Sequence, residues 1–332
     1  MRKVFTLSTL LVLFVTCLSS ADDTKVEYMP KMTMLLRTKA EQNLNINVMN
    51  FMVRNARFGL KGNITKELAY KVEIDWQDKE DIDMQDAKII YTPIKDLEFT
   101  LGQFKSPFAN DYLRNPADYS FINRNFITKR LTKNMRDVGA MVAYKLPVEF
   151  MPIKLEIGMF NGNSNNHYEQ DKQKSGAAKI QISPFAKSNL TFSTYHGQVT
   201  LDKEKQTSII AEMYDISYTH QIGNFFFDFE VAQKKYDDTL DTKYEGFFTT
   251  LAYDFQLENS PILKITPAIR YEMYNKLPDV SKESPRRISA GVTFHLKENN
   301  NSYFRIDYEK YDYKSGVKSA EDVISLEYVV RL

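Results

Sequence analysis

Seven cations crowd into one stretch of this chain. Lys105, Arg114, Arg124, Lys129, Arg130, Lys133 and Arg136 all lie between residues 104 and 136, against two acids, Asp111 and Asp118. The whole chain is close to neutral, with 44 Lys+Arg and 43 Asp+Glu. A guanidinium grips phosphate oxygens bidentately, and clustered Arg and Lys attract and select anions. The chemistry expected of the stretch is reversible capture of phosphate-like anions. Aromatics share it, among them Tyr112, Tyr119, Phe121 and Phe126. They predict that the segment packs against something.

Other chemistry finds less support. The four histidines, His167, His196, His220 and His295, stand in no Gly-x-Ser-x-Gly or His-Glu-x-x-His setting. No enzyme is expected, and no cofactor. Asp75, Asp78, Glu80, Asp81 and Asp83 cluster, but their spacing lacks the glycine and terminal glutamate of a calcium loop. A solvated acidic loop is the expectation, and no metal site. One cysteine among 332 residues excludes an intramolecular disulfide framework. Charge balance argues against nucleic acid as a partner, because that affinity needs a positive excess.

The elements that would position the cations are strands. Side chains alternate between the two faces of a strand, so period-two alternation marks one apolar face. Leu68, Tyr70, Val72, Ile74 and Trp76 enclose Ala69, Lys71, Glu73 and Asp75; Ile324, Leu326, Tyr328, Val330 and Leu332 run around Ser325, Glu327 and Arg331. About sixteen such segments run from residue 32 to the C-terminus, most of roughly 7–12 residues. The connections between them alternate short and long. Short ones include 93–96 and 220–224; long ones include 40–52, 104–136 and 197–207.

That phase predicts an all-β fold: a transmembrane antiparallel β-barrel with short turns at one end and long loops at the other. Sixteen strands enclose an aqueous lumen, whereas eight would be filled by side chains. Backbone groups in lipid must all be paired, so the sheet must close. The polar face then looks inward, and Arg57, Lys71, Lys154, Arg270 and Arg305 are expected to line the lumen among many carboxylates. The segment after the fifth strand, near 33 residues, is expected to fold inward as a constriction. The other placement is an outer loop whose cations meet lipopolysaccharide phosphates or water. Aromatics at strand ends, among them Tyr70, Trp76, Tyr91, Tyr144, Phe225 and Tyr328, suit the interfacial girdles of such a barrel. A soluble secreted β-sandwich binding protein would also show alternating strands. It gives no reason for long loops to stay at one end.

Residues 1–21 predict an export signal: Arg2 and Lys3, an apolar run over 4–18, then Ser19 and Ala21 before Asp22. Residues 22–332 form the expected single barrel domain. Export and a barrel together predict the bacterial outer membrane, with its lipid and lipopolysaccharide as surroundings. Mean hydropathy of −0.43 excludes a bundle of apolar spanning helices, each needing about 20 consecutive apolar residues.

Four motifs occur in order: Val-Arg-Asn-Ala-Arg-Phe-Gly-Leu-Lys-Gly (53–62), Leu-Gly-Gln-Phe-Lys-Ser-Pro-Phe (101–108), Arg-Asp-Val-Gly-Ala (136–140) and Gly-Met-Phe-Asn-Gly (158–162). The chain resembles the phosphate-selective porin O and P family over roughly residues 30–332. The resemblance implies a sixteen-stranded outer-membrane barrel, usually a homotrimer, with a constricting loop after the fifth strand. It implies passive diffusion of small anionic solutes such as phosphate or polyphosphate, with Arg54, Arg57 and the loop cations at the pore. The mixed inner wall keeps a second function open, a weakly selective general or oligosaccharide porin.

Overall fold

The computed structural model describes residues 28–76, 82–167, 172–202, 207–258, 260–277, 284–296, 301–313 and 319–332. The expected signal segment and Asp78, Glu80 and Asp81 lie outside the described residues. The strands are β1 (Lys31–Asn43), β2 (Val48–Asn63), β3 (Leu68–Asp75), β4 (Asp83–Ile94), β5 (Leu97–Lys105), β6 (Arg136–Leu146), β7 (Ile153–Phe160) and β8 (Ser175–Ile182). They continue with β9 (Ser188–Asp202), β10 (Thr207–Ile222), β11 (Phe225–Tyr236), β12 (Lys243–Tyr253), β13 (Phe255–Gln256), β14 (Ile262–Leu277), β15 (Pro285–Leu296), β16 (Ser302–Tyr313) and β17 (Glu321–Arg331).

Each strand pairs antiparallel with its neighbours, and β1 pairs with both β2 and β17. The sheet therefore closes into a ring of sixteen. The two-residue β13 lies outside the ring, added to β14 beyond the end of β12. Closure leaves no unpaired edge and rules out the sandwich.

The burial pattern is inverted relative to a water-soluble protein. Leu101, Ile157 and Ile269 on the outer face are more than half exposed, while Glu230, Glu272, Glu309 and Glu327 on the inner face are fully buried. An apolar exterior is stable only against lipid. At the short-turn end the outward residues are aromatic: Phe304 stacks on Tyr328 with ring centroids 4.4 Å apart, and Tyr253 meets Phe255 at 4.6 Å. These rings, with Tyr91 and Tyr144, form a belt of the kind that anchors barrels at the membrane interface.

Two connections expected to be long are short. β1 and β2 run on to a four-residue turn at 44–47, and β9 and β10 extend to Asp202 and from Thr207. There the strands continue as exposed hairpins of mixed polarity, with Glu41 opposite Asn50 and Gln42 opposite Met49. Backbone pairing persists where the apolar alternation that marked the strand has ended.

The core lies between the β5–β6 connection, residues 106–135, and one side of the inner wall. Phe108, Phe126, Ile127, Leu131 and Met135 pack on Phe160, Tyr195, Val199, Met213 and Phe248 of β7, β9, β10 and β12. Gly246 makes the approach possible, because a Cβ there would stand 2.6 Å from Ile127 Cγ1. Gly246→Leu is expected to lift Ile127 and Leu131 from the wall. Trypsin should then cut at Lys129, Arg130 or Lys133 faster than in the wild type while the barrel stays intact. Equal cleavage rates would show that this contact does not seat the loop.

Candidate functional site

The β5–β6 connection folds into the barrel and is held there by its backbone. Wall cations donate to its carbonyls: Arg305 to Ala117 at 2.7 Å, Arg37 to Ile122 at 3.0 Å, Arg270 to Asn123 at 3.1 Å, Arg287 to Arg124 at 2.7 Å and Lys234 to Leu131 at 2.9 Å. Wall carboxylates accept from its amides: Glu230 from Asp111 at 2.8 Å, Asp307 from Ile122 at 2.6 Å and Glu272 from Phe126 at 2.7 Å. Residues 109–131 contain only one helical turn (Asn110–Leu113), a 3-10 turn and a short π-helix. The charged wall supplies hydrogen bonds that regular structure would otherwise supply.

The gripping arginines are themselves neutralised. Arg37 lies 2.6 Å from Glu327, Arg305 3.3 Å from Glu327, Arg270 3.1 Å from Glu272 and Arg287 3.0 Å from Glu309. Arg287 also pairs with Glu272. Arg270 and Arg305 were expected to line the lumen. They point inward, but the loop covers them and they hold it. Lys154 pairs with Glu156 at 2.8 Å and borders neither space described below.

The loop leans on β1, β7–β12 and β14–β17, so open space remains along β2–β6. A cavity of about 390 Å³ opens toward the long-loop end. Arg54, Arg57, Lys105 and Arg136 line it from the wall, and Arg124, Lys129 and Lys133 from the loop, beside one carboxylate, Asp83. A second space of about 310 Å³ lies toward the short-turn end and shares Arg57, Lys105 and Arg136 with the first. Here Lys71, Lys88, Arg114 and Lys179 face Glu73, Asp86 and Glu156. Asp86 bridges Lys71 at 2.7 Å and Arg136 at 3.0 Å. Together the two spaces trace a path along the β2–β6 wall, with Arg57, Lys105 and Arg136 where they meet.

The two spaces differ in pairing. Lower cations are mostly bound to carboxylates, as in Lys179–Glu156 at 2.6 Å and Arg57–Asp75 at 2.8 Å. Among the described residues, Arg54, Arg124, Lys129 and Lys133 make no ion pair, and all four border the upper cavity. Burial, then the neighbouring Arg287 and Arg130, hold the Lys129 ammonium below the ordinary lysine range. Burial opposes the charge on Arg114, yet Asp228 and Asp111 outweigh it and hold that guanidinium firmly protonated.

Of the seven loop-segment cations singled out in the sequence, five border the upper cavity: Lys105, Arg124, Lys129, Lys133 and Arg136. Lys105 also donates to the carbonyls of Tyr112 at 2.5 Å and Arg114 at 3.0 Å, tying the start of the loop to β5. Arg114 borders the lower space. Arg130 faces away and lies over the rings of Tyr274 and Phe126, 4.7 and 5.4 Å from their centroids. Of the expected wall residues, Arg57 borders both spaces and Lys71 the lower one. Arg37 and Arg287, which sequence reasoning did not single out, carry much of the grip. Arg37 could have been found by extending the alternation of β1, where it shares the inward face with Lys39. Arg54 reaches the cavity because the β1–β2 register shifts beside it, between Arg37 and Thr38. Such a bulge redirects a side chain that strict alternation would send outward.

A model of the family described as phosphate-selective porin O and P matches residues 36–219, more than half of the chain. No curated protein sequence matches. Among solved structures, an anion-selective porin from Comamonas acidovorans is 9% identical with a TM-score of 0.66, over 92% of this chain and 100% of that one. OprB of Pseudomonas putida, in a high-pH structure, is 10% identical with a TM-score of 0.67, over 91% and 94% of the two chains. OmpT of Vibrio cholerae, in a trimer form, is 12% identical with a TM-score of 0.64, over 92% and 99%. At these identities the likeness is one of fold.

Proposed function

This chain belongs to the phosphate-selective porin O and P family and is a channel of the bacterial outer membrane, and from that premise we propose that it passes small hydrophilic anions, phosphate and short polyphosphate among them. The observation that carries the reading is the unpaired set Arg54, Arg124, Lys129 and Lys133 around a cavity with one carboxylate. A cation already bonded to a carboxylate offers a passing anion little. An unpaired cation in a narrow, low-dielectric space attracts it over a longer range.

The anion exchanges part of its hydration for guanidinium and ammonium donors in the upper cavity. It then passes Arg57, Lys105 and Arg136 into the lower space. There Glu73, Asp86 and Glu156 compete with it for the cations, so it leaves readily. Favourable entry and weak retention are both needed for conduction. The family and the trimer form of the Vibrio cholerae relative support a homotrimer, which cross-linking of detergent-extracted protein would reveal as a three-chain ladder.

The asymmetry gives a test. Phosphate added on the long-loop side of a bilayer should block chloride current at lower concentration than phosphate on the short-turn side. Equal block from both sides would remove the upper cavity as the binding place. Block by neutral oligosaccharide but not by phosphate would favour a sugar channel instead.

A further inference from the structure

Where the loop meets β1 and β14–β17, cations and carboxylates of the inner wall balance. On β1 and β14–β16, Arg37, Lys39, Arg270, Arg287 and Arg305 stand among Glu41, Glu272, Asp307 and Glu309, with Glu327 on β17 completing the set. Where the start of the loop meets β10 and β11, four carboxylates, Asp111, Asp215, Asp228 and Glu230, gather with one guanidinium. Arg114 stands 2.5 Å from Asp228 and 3.1 Å from Asp111. None of the four carboxylate residues is more than 3% exposed. Ser217 is directly opposite Glu230, and Thr191 directly opposite Ser217. Neither hydroxyl has a hydrogen-bond partner, nor has one oxygen each of Asp215, Asp228 and Glu230.

The groups facing the cluster from other elements do not restore the balance. Lys179 of β8 is bound to Glu156, and Arg270 of β14 to Glu272 and Glu309. The Tyr119 hydroxyl donates to the Asp111 carbonyl, and Asn125 and Thr128 donate to its carboxylate. Four ionised carboxylates with one guanidinium would leave about three uncompensated negative charges in a buried space. Like charges at such range disfavour joint ionisation, and burial adds to this. The packing observed requires protons on some of these carboxyls, and the unbonded oxygens are where O–H groups find acceptors.

The loop sits directly on this patch. The Ala109 amide donates to Ser193 at 3.0 Å, and the Asp111 amide to Glu230 at 2.8 Å. We infer that Asp215, Asp228 and Glu230, facing Asp111, form a proton-binding site that seats residues 108–114 of the constriction loop against β10 and β11. The seated arrangement binds more protons than the unseated one, so acid favours seating and alkali opposes it. Each step is an exchange of protons with the lumen water. On proton loss Asp111 is repelled from Glu230 and Asp215, the start of the loop leaves the wall, and the channel changes conductance.

Single-channel recording of the purified full chain from pH 5 to pH 9, at constant KCl, tests this. The wild type should pass from a quiet low-pH level to a noisier level of different conductance. The Asp215→Asn/Glu230→Gln variant should stay at the quiet level throughout. A cysteine pair, Ala109→Cys with Ser193→Cys, provides a second route that keeps all four carboxyls, though it replaces the Ser193 hydroxyl that donates to Asp215. The chain's one cysteine, Cys17, is replaced by serine in this variant so that only the designed pair can oxidise. When oxidised, the pair should abolish the pH response, and reduction should restore it. A wild type that is flat across the range would overturn the inference, as would an oxidised pair with the full wild-type response.

Discussion

Replacing Arg54, Arg124, Lys129 and Lys133 together by glutamine is expected to remove the anion preference of the channel. Each is unpaired and borders the upper cavity. A unit charge passing at about 4 Å gains roughly 1 kcal/mol from each even at the dielectric of water. Screening acts over about 10 Å at 0.1 M salt, further than the separations within a cavity of this size. Partial contributions from four cations exceed the 1.4 kcal/mol that makes about a tenfold ratio. The anion-to-cation permeability ratio should therefore fall by about tenfold or more, with conductance retained. The matched control neutralises Arg270 and Arg305, which the loop covers. Those changes should loosen the loop rather than reverse selectivity directly. A quadruple variant with an unchanged ratio would place the selectivity elsewhere.

The second large effect concerns the grip on the loop. Arg287 pairs with Glu272 and Glu309, donates to the Arg124 carbonyl and the Tyr311 hydroxyl, and lies 4.9 Å from the Phe126 ring centroid. Arg287→Ala leaves two buried carboxylates without their main partner, a change that costs about 3–5 kcal/mol. The barrel ladder is untouched, so the cost falls on the docking of Asn123–Phe126. The variant should fold into a barrel with normal heat-modifiable mobility, yet show higher and noisier conductance. Arg287→Lys should restore only part of the wild-type behaviour, because an ammonium cannot reach both carboxylates and a carbonyl in fork geometry. Quiet, wild-type conductance from Arg287→Ala would mean that the loop is held by its apolar contacts alone.

The barrel was legible in the sequence because lipid imposes a strict code. Each strand must turn apolar residues outward, and Leu68 to Trp76 or Ile324 to Val330 do so without interruption. The constriction loop was legible from its length and its aromatics, which packing then used: Phe121 and Phe126 are buried against the wall arginines. The division of labour among cations was not legible. Arg270 and Arg124 are both inward cations, but one lies under the loop and the other faces open space. That difference depends on which side of the lumen the loop leans toward. The lean is set by distant contacts such as Ile127 beneath Gly246, which leave no periodic trace. Arg54 escaped the alternation because a bulge carries it, and the β1–β2 hairpin ran on because pairing needs no apolar face.

Reversal potential of the purified wild-type protein in a planar bilayer, under a tenfold KCl gradient, reads the sign and size of the channel's ion preference. A potential displaced toward that of chloride is expected, moving toward zero in the Arg54, Arg124, Lys129 and Lys133 variant. A wild-type potential at zero, or displaced toward that of potassium, would contradict it.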